Sequence, residues 1–227
     1  MKRALAASML MIAAVWSIAG AVPSAGPAGP AQAACELRLD PIVLSAAEKA
    51  AIRKGEIVLR PVDNPGLKGR TFEAVGTLPG TMDECRAVLL DYRHYDEFMP
   101  RTARTVVTDE GPAVALVEQY LKLPLGMTRC YRLRYTLREA IDGFRVDWEK
   151  VPWPELPPSR TVADTSGHWQ VGLTGEGGLL AVYHVYTEPG HVPLGLKGLA
   201  LSLSKHDLPK VIERVRARLR SPAPIKD

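Results

Sequence analysis

The stretch Gly80-Thr-Met-Asp-Glu-Cys-Arg-Ala-Val-Leu-Leu-Asp-Tyr-Arg-His-Tyr-Asp-Glu-Phe-Met-Pro100 decides the fold of this chain. Thr81 and Glu84 form a capping box, in which the Thr81 hydroxyl accepts the Glu84 backbone N–H and the Glu84 carboxylate accepts the Thr81 N–H. A helix is therefore predicted to begin here. Pro100 cannot continue a helix, so the helical segment should end before it. Apolar side chains at three- and four-residue spacing define its buried face: Cys85, Val88, Leu89 and Tyr92.

The segments before this helix indicate a short helix and two strands. Ser45 opens a second capping box, and the helix that it begins should stop near Gly55. Residues 56–62 and 68–78 then follow as strands, and the second of them alternates apolar and polar side chains. The predicted order is therefore a helix, two strands and the organising helix.

Beyond Pro100, apolar side chains recur at every second position for most of the chain. The clearest case is residues 130–138, in which tyrosines and leucines alternate with arginines. Such alternation is typical of an antiparallel sheet with one buried face. Residues 208–219 return to helical spacing and predict a long terminal helix. The whole pattern indicates an α+β domain with one sheet and its helices on one side.

Two motifs resemble the START-like, or SRPBCC, superfamily, which includes polyketide cyclases and coenzyme Q-binding proteins. The first is similar to the family run L-x-D-Y-x-x-Y-x-x-F-M-P and spans residues 89–100. The second comprises Gly167-His-Trp-Gln, Tyr183 and Glu188-Pro-Gly190. Asp96 departs from the pattern, because many relatives have proline there. The resemblance covers roughly residues 45–219 and implies a helix-grip fold, also called Bet v 1-like, in which a curved antiparallel sheet surrounds a long C-terminal helix.

The resemblance also implies an internal apolar cavity that binds a hydrophobic small molecule or lipid, such as a quinone, a sterol-like compound or an acyl lipid. A few polar groups in a mostly apolar lining are typical of ligand sites. The same side chains could instead fill an ordinary solid core. The residues expected to contact the ligand are Tyr95, Phe98, Met99, Tyr131, Leu133, Tyr135, Phe144, Val146, Trp148, Trp169, Tyr183, Leu199 and Leu203.

We expect the terminal helix to open against the corner at residues 99–101 and the proline-rich loop at residues 152–158, and so to admit the ligand. Transient contact with a membrane is compatible with such a role.

Motifs for catalysis, metals or cofactors are absent from the sequence. There is no G-x-S-x-G, no phosphate-binding glycine loop and no H-E-x-x-H, so we expect neither a metal nor a cofactor. One alternative is an enzyme of the cyclase or aromatase type, with Tyr95, His94 or Asp91 as proton-transfer groups. The simpler interpretation places His94 on the solvated side of a helix. A further alternative is a non-catalytic interaction protein of the cell envelope.

The N-terminal 33 residues have the features of a signal peptide. A charged start at Lys2 and Arg3 precedes an apolar run over residues 4–22, and Ala31-Gln32-Ala33 supplies a cleavage site. We therefore predict export, to a bacterial periplasm. Retention of the apolar run as a membrane anchor is one alternative. Acylation of Cys35 is another, although Gln32 stands where a lipoprotein signal has an aliphatic residue.

These features divide the chain into a signal peptide (1–33), a linker (34–44), the START-like domain (45–221) and a short tail (222–227).

Charge and cysteine content limit the remaining classes. The chain carries 29 Lys and Arg against 25 Asp and Glu, and two of the basic residues lie in the predicted signal peptide. This near balance argues against the clustered basic surface of a nucleic-acid-binding protein. Three cysteines would meet an oxidising compartment, so one of them lacks a partner. A Cys85–Cys130 bridge is one option, and burial of Cys85 as a free core residue is the preferred one.

Overall fold

The computed structural model describes residues 38–123, 126–175, 177–190 and 197–221, and in the last range it describes side chains from Asp207 onward. The predicted signal peptide, Cys35 and the tail lie outside these ranges, as do the side chains of Leu199 and Leu203.

The secondary structure follows the order predicted from the sequence. Helices alternate with one long series of strands: α1 (Ala46–Arg53), β1 (Val58–Val62), β2 (Arg70–Leu78), α2 (Met82–Leu90), α3 (Tyr95–Phe98), β3 (Thr102–Glu110), β4 (Val114–Lys122), β5 (Thr128–Ala140), β6 (Gly143–Val151), β7 (Asp164–Leu173), β8 (Leu179–Glu188) and α4 (Lys197–Arg220). Short 3₁₀ turns precede α3 and β7.

Both predicted capping boxes are present. The Thr81 hydroxyl accepts the Glu84 N–H at 3.2 Å, and the Glu84 carboxylate accepts the Thr81 N–H at 2.7 Å. Ser45 caps α1 in the same way. The helical segment after Thr81 is not continuous, however, because Asp91 leaves helical geometry at φ −77° and ψ 59°. α2 therefore ends at Leu90, and the chain turns once before α3.

The eight strands form one antiparallel sheet in the order β1-β2-β8-β7-β6-β5-β4-β3. α4 packs on its concave face, where Ile212 and Val215 are fully buried. Arg216 joins α4 to β2 and to the α1–β1 connection, since its guanidinium donates to the Thr77 carbonyl at 2.8 Å and the Gly55 carbonyl at 2.9 Å. The predicted α+β helix-grip fold is confirmed.

The convex face of the sheet has a smaller apolar cluster of its own. Ile52 of α1 packs with Val75, Leu180 and Val182. Along β2 and β8, Val75, Leu180 and Val182 alternate with the residues that face the concave core, because successive side chains of a strand point to opposite faces. α1 therefore covers part of the face opposite α4.

The two described cysteines are buried free thiols, so the alternative of a Cys85–Cys130 bridge is wrong. Cys85 Sγ lies 3.6 Å from the Pro79 carbonyl oxygen, whereas Cys130 Sγ lies 3.8 Å from that of Arg160. Burial raises the pKa of the Cys85 thiol to about 11, which keeps it protonated and unreactive. Across the described ranges, no helix combines the length and apolar character that crossing a membrane needs.

Candidate ligand-binding cavity

A cavity of about 260 Å³ lies between the concave face of the sheet and α4. This volume far exceeds the roughly 10–15 Å³ that one water molecule occupies by such a measure. The lining comes from the α2–β3 connection, the inward positions of β4 to β8 and one side of α4. The described lining residues are Tyr95, Met99, Pro100, Arg101, Thr102, Gln119, Leu121, Leu123, Met127, Arg129, Tyr131, Leu133, Tyr135, Trp148, Val162, Thr165, Trp169, Tyr183, Val185, Thr187, Pro189, Asp207, Leu208 and Val211.

Aromatic rings form one wall of the cavity. Trp148 and Tyr183 stack with ring centroids 5.3 Å apart, and Trp169 lies 4.7 Å from Tyr183. Gly167 makes room for this wall, because a Cβ on it would lie 2.5 Å from the Trp148 ring and 2.1 Å from the His184 carbonyl oxygen. A side chain at Gly167 would therefore displace the indole of Trp148 or separate β7 from β8.

The buried part of the cavity contains neutral hydrogen-bonding groups. Gln119 Nε2 donates to the Tyr135 hydroxyl at 2.8 Å, and both residues are buried. The Tyr95 hydroxyl instead donates to the Leu89 carbonyl at the end of α2. Burial raises the pKa of the Tyr131, Tyr135 and Tyr183 hydroxyls, so these groups remain protonated donors.

Charged side chains lie at the rim. Arg101 follows the corner that Pro100 forces on the chain, and its guanidinium forms an ion pair with Asp207 of α4. Lys210 contacts the other oxygen of Asp207 at 3.2 Å. Arg101 has φ 61°, a left-handed conformation that is uncommon for a residue other than glycine. This ion pair joins the α3–β3 corner to the terminal helix beside the cavity.

The structure brings most of the sequence-predicted ligand residues to the cavity, with three exceptions among those described. Residues in the lining are Tyr95, Met99, Tyr131, Leu133, Tyr135, Trp148, Trp169 and Tyr183. Phe98, Phe144 and Val146 belong to the packed core instead. Phe144 and Val146 share the inward phase of Trp148 but lie nearer the β5–β6 turn, where α2 fills the space. Phe98 packs against Tyr95 and under the Arg218 guanidinium.

The proline-rich loop is not part of the cavity. None of residues 152–158 lines it, and Trp153 packs against Tyr120 and Arg132 on the convex side of the sheet. That the terminal helix opens against this loop stays a prediction. Side chains of β4 and β5 point alternately inward and outward. Trp153 packs against two of the outward-pointing side chains, Tyr120 and Arg132.

The acid–base residues of the cyclase alternative are not gathered in the cavity. His94 Nδ1 and Asp91 Oδ1 lie 2.6 Å apart, but His94 is exposed and neither residue is part of the lining. Tyr95 lines the cavity, yet its hydroxyl is bonded to a backbone carbonyl. Within the described ranges, His, Cys, Asp and Glu side chains form no group of three or more that could hold a metal.

Sequence reasoning missed the polar members of the site. Gln119 is the one polar side chain at the inward positions of β4 from Ala115 to Leu121. A polar residue in this otherwise apolar series could have indicated a polar group in the cavity. Arg101 and Asp207 pair across 106 positions, and no local pattern indicates such a pair.

Comparisons with known proteins agree on the fold. No family model matches the sequence, and no curated protein matches it. A STAR-related lipid transfer protein from Xanthomonas axonopodis has 20% identity and a TM-score of 0.64, with 73% of this chain and 94% of the other covered. Human StAR-related lipid transfer protein 5 has 9% identity and a TM-score of 0.62, with 72% and 82% covered.

An aromatase/cyclase, Zhui, from a Streptomyces species is also similar, at 17% identity and a TM-score of 0.51, with 69% of this chain and 99% of the other covered. At identities this low, the structural similarity shows a common fold and nothing beyond it. The chain therefore has the helix-grip fold of the START-like superfamily, as its two sequence motifs predicted.

Proposed function

We propose that this protein is exported and that it binds or carries a hydrophobic small molecule or lipid in the cavity under α4. The observation that carries the proposal is the cavity itself, because a domain of this size with a solid core would leave no such volume. Its lining is mostly apolar, with a few polar groups, as in typical small-molecule sites. Proteins of the same fold described as lipid transfer proteins and as an aromatase/cyclase support the proposal.

Burial of apolar ligand surface supplies the binding free energy. Each Å² of apolar surface that leaves water contributes about 25 cal/mol, so a compact guest that covers Trp148, Trp169 and Tyr183 can be held without a charged anchor. The cavity volume of about 260 Å³ is near the lower limit of small-molecule sites, which is roughly 300 Å³. A compact ligand therefore fits this space better than a lipid with two long chains.

Movement of the rim would widen access to the cavity. Met99 and Arg101 face Asp207 and Leu208 of α4 across the lining, and the Arg101–Asp207 pair closes this side. Movement of α4 away from the α3–β3 corner would break one ion pair and expose the aromatic wall. The N-terminal signal features and the near-neutral charge of the remaining chain support an exported carrier.

Mass spectrometry of the exported protein tests the proposal. The chain from residue 34 onward is purified from the periplasm and extracted with organic solvent, and the extract is compared with that of Val185→Trp, in which an indole fills the cavity. Val114→Trp is the matched control, because Val114 is exposed and outside the lining. We expect a co-purifying apolar compound with the wild type and the control but not with Val185→Trp. An empty wild type whose tryptophan fluorescence responds to no added apolar compound would refute the proposal.

A further inference from the structure

We propose that the guest is an uncharged, flat ring compound with a carbonyl or hydroxyl oxygen, bound by the hydroxyls of Tyr131, Tyr135 and Tyr183 and the amide of Gln119. This inference rests on the proposed function and goes further, because it assigns the chemical class of the ligand. It follows from three properties of the cavity: where its charges lie, which hydrogen-bonding groups have unused capacity, and the shape of its wall.

Charge is confined to the rim. The charged side chains among the described lining residues are Arg101, Arg129 and Asp207. Arg101 is paired with Asp207, and the Arg129 guanidinium donates to the Thr128 carbonyl at 3.0 Å. The Gln119–Tyr135 pair is 7% and 5% exposed, whereas the side chain of Arg101 is 31% exposed. An ionised headgroup drawn to the buried end would find no cation there, and burial of an unpaired charge is costly.

The Gln119–Tyr135 pair retains unused donors whichever way the amide is oriented. If Gln119 Nε2 donates to the Tyr135 hydroxyl, the hydroxyl proton and the second amide proton are unused. If the amide is reversed, the hydroxyl donates to Oε1 and both amide protons are unused. Neither the Tyr131 nor the Tyr183 hydroxyl bonds to a residue that the structure describes, although both line the cavity. The buried end therefore has an excess of hydrogen-bond donors, which a ligand oxygen can satisfy.

The wall favours a flat ring. Trp148 and Tyr183 lie within 26° of parallel, and Trp169 is tilted by 48° to Tyr183. A planar ring can stack on one of these aromatic faces and meet a tilted neighbour edge to face, and both arrangements of aromatic pairs are favourable. A flexible acyl chain would contact them less completely and would lose more rotational freedom.

Binding of matched probes tests the class. Fluorenone and fluorene have the same three-ring shape and differ by one carbonyl oxygen, and laurate is a charged acyl chain. Affinities are measured by quenching of tryptophan fluorescence at pH 7 and checked by calorimetry. We expect fluorenone to bind about three- to tenfold more tightly than fluorene, the worth of one net hydrogen bond, and laurate to bind more weakly than both.

Substitutions locate the donors. Gln119→Leu, Tyr131→Phe and Tyr183→Phe each remove hydrogen-bonding capacity with little change in volume, and at least one should abolish the preference for fluorenone. Tyr120→Phe is the matched control, because Tyr120 lies on the convex face and bonds Glu118. Thermal unfolding identifies any variant that fails to fold, and the comparison of probes on the wild type needs no variant.

The outcomes separate the two proposals. Equal affinity for fluorenone and fluorene, or tighter binding of laurate than of fluorenone, would overturn the assigned class and leave the carrier function in place. A preference for fluorenone that survives in every folded variant would overturn the assigned donors. Failure of all three probes and of a hydrophobic dye to bind would overturn the proposed function as well.

Discussion

The two ends of the concave face have the same alternating sequence pattern but different packing. Near the β5–β6 and β7–β8 turns, the closed end is filled: Phe144, Val146, Val171, Cys85 and Leu89 are at most 1% exposed and pack in one cluster. Near the α3–β3 corner, the open end contains the cavity, although it has larger side chains. Hydrophobic alternation therefore identifies which face is inward, and the position of the covering helices decides whether that face is packed or hollow.

The convex face has an apolar patch where Val75 and Val182 lie under α1. Charged groups lie on this face near both ends: Arg138 and Arg145 pair with Asp147 near the β5–β6 turn. Behind the open end, Glu73 Oε1 lies 2.9 Å from His184 Nδ1, and His184 stacks on His168. The open end is thus bounded by a cavity on one side and by titratable groups on the other. The following predictions test this contrast, from the largest expected effect to the smallest.

Truncation of a side chain to alanine should lower the free energy of unfolding far more at the closed end than at the open end. Phe144→Ala removes a fully buried ring that the surroundings cannot replace, so we expect the free energy of unfolding to fall by about 3–5 kcal/mol. Tyr131→Ala should cost only about 1–2 kcal/mol, because one side of that ring already borders the cavity. Urea denaturation of both variants measures the difference. Similar losses would show that the open end is packed as tightly as the closed end.

Enlargement should have opposite effects at the two ends. Val146→Phe overfills a packed position and should destabilise the fold by about 1–3 kcal/mol. Val185→Phe places the same ring in the cavity and should leave stability unchanged or raised, while it weakens binding of apolar probes. Thermal unfolding and fluorescence titration measure the two effects. A destabilised Val185→Phe that still binds its guest would contradict the contrast.

A fall in pH should destabilise the folded protein through the titratable groups behind the open end. Burial, followed by Arg145 and His184, lowers the pKa of His168 from 6.5 to about 4, while Asp147 and Glu73 oppose the shift. Between these values the unfolded chain binds the proton more readily, so stability should fall as the pH drops from about 6.5 to about 4. The loss is on the order of 1–2 kcal/mol after allowance for solvent screening.

His168→Gln is the test of this assignment, since it removes the titrating group. Chemical denaturation of this variant should show a flatter pH dependence between pH 6.5 and 4. Glu73 acts in a separate window: its bond to His184 and its pairing with Arg60 lower its pKa from 4.5 to about 2, so its contribution is lost only below pH 4.5. An unchanged slope above pH 4.5 in His168→Gln would contradict the role of His168.

The smallest effect concerns the backbone at the rim. Arg101→Gly and Arg101→Ala both remove the ion pair with Asp207, but only glycine adopts φ 61° without strain. The glycine variant should therefore be more stable than the alanine variant by about 1 kcal/mol. Denaturant midpoints give the difference, and equal midpoints would show that the corner relaxes freely. Both variants should exchange apolar probes faster than the wild type, because the rim is no longer held to α4.

The elements that could be predicted from the sequence are those that depend on local chemistry. Thr81 and Glu84 fix the start of α2 through their own hydrogen bonds, and the alternation from Tyr131 to Leu137 fixes which side of β5 is buried. The START-like motifs supplied the long-range arrangement, in which the sheet surrounds α4. These signals were sufficient for the fold.

The features that escaped prediction depend on distant parts of the chain. Phe144 and Tyr131 have the same phase in adjacent strands, and only the location of α2 makes one a core residue and the other a cavity residue. Trp153 gave no indication of its side, because a proline-rich loop has no periodicity. The pairing of His168 with His184 follows from the register of β7 and β8, which neither strand specifies alone.

The pairing of β2 with β8 has a consequence for biosynthesis. Leu78 lies opposite Leu179, so residues 79–178 must all emerge from the ribosome before β2 and β8 can pair along this seam of the sheet. Contacts so distant in sequence form slowly. The nascent chain therefore lacks this hydrogen-bonded seam until β8 has left the ribosome.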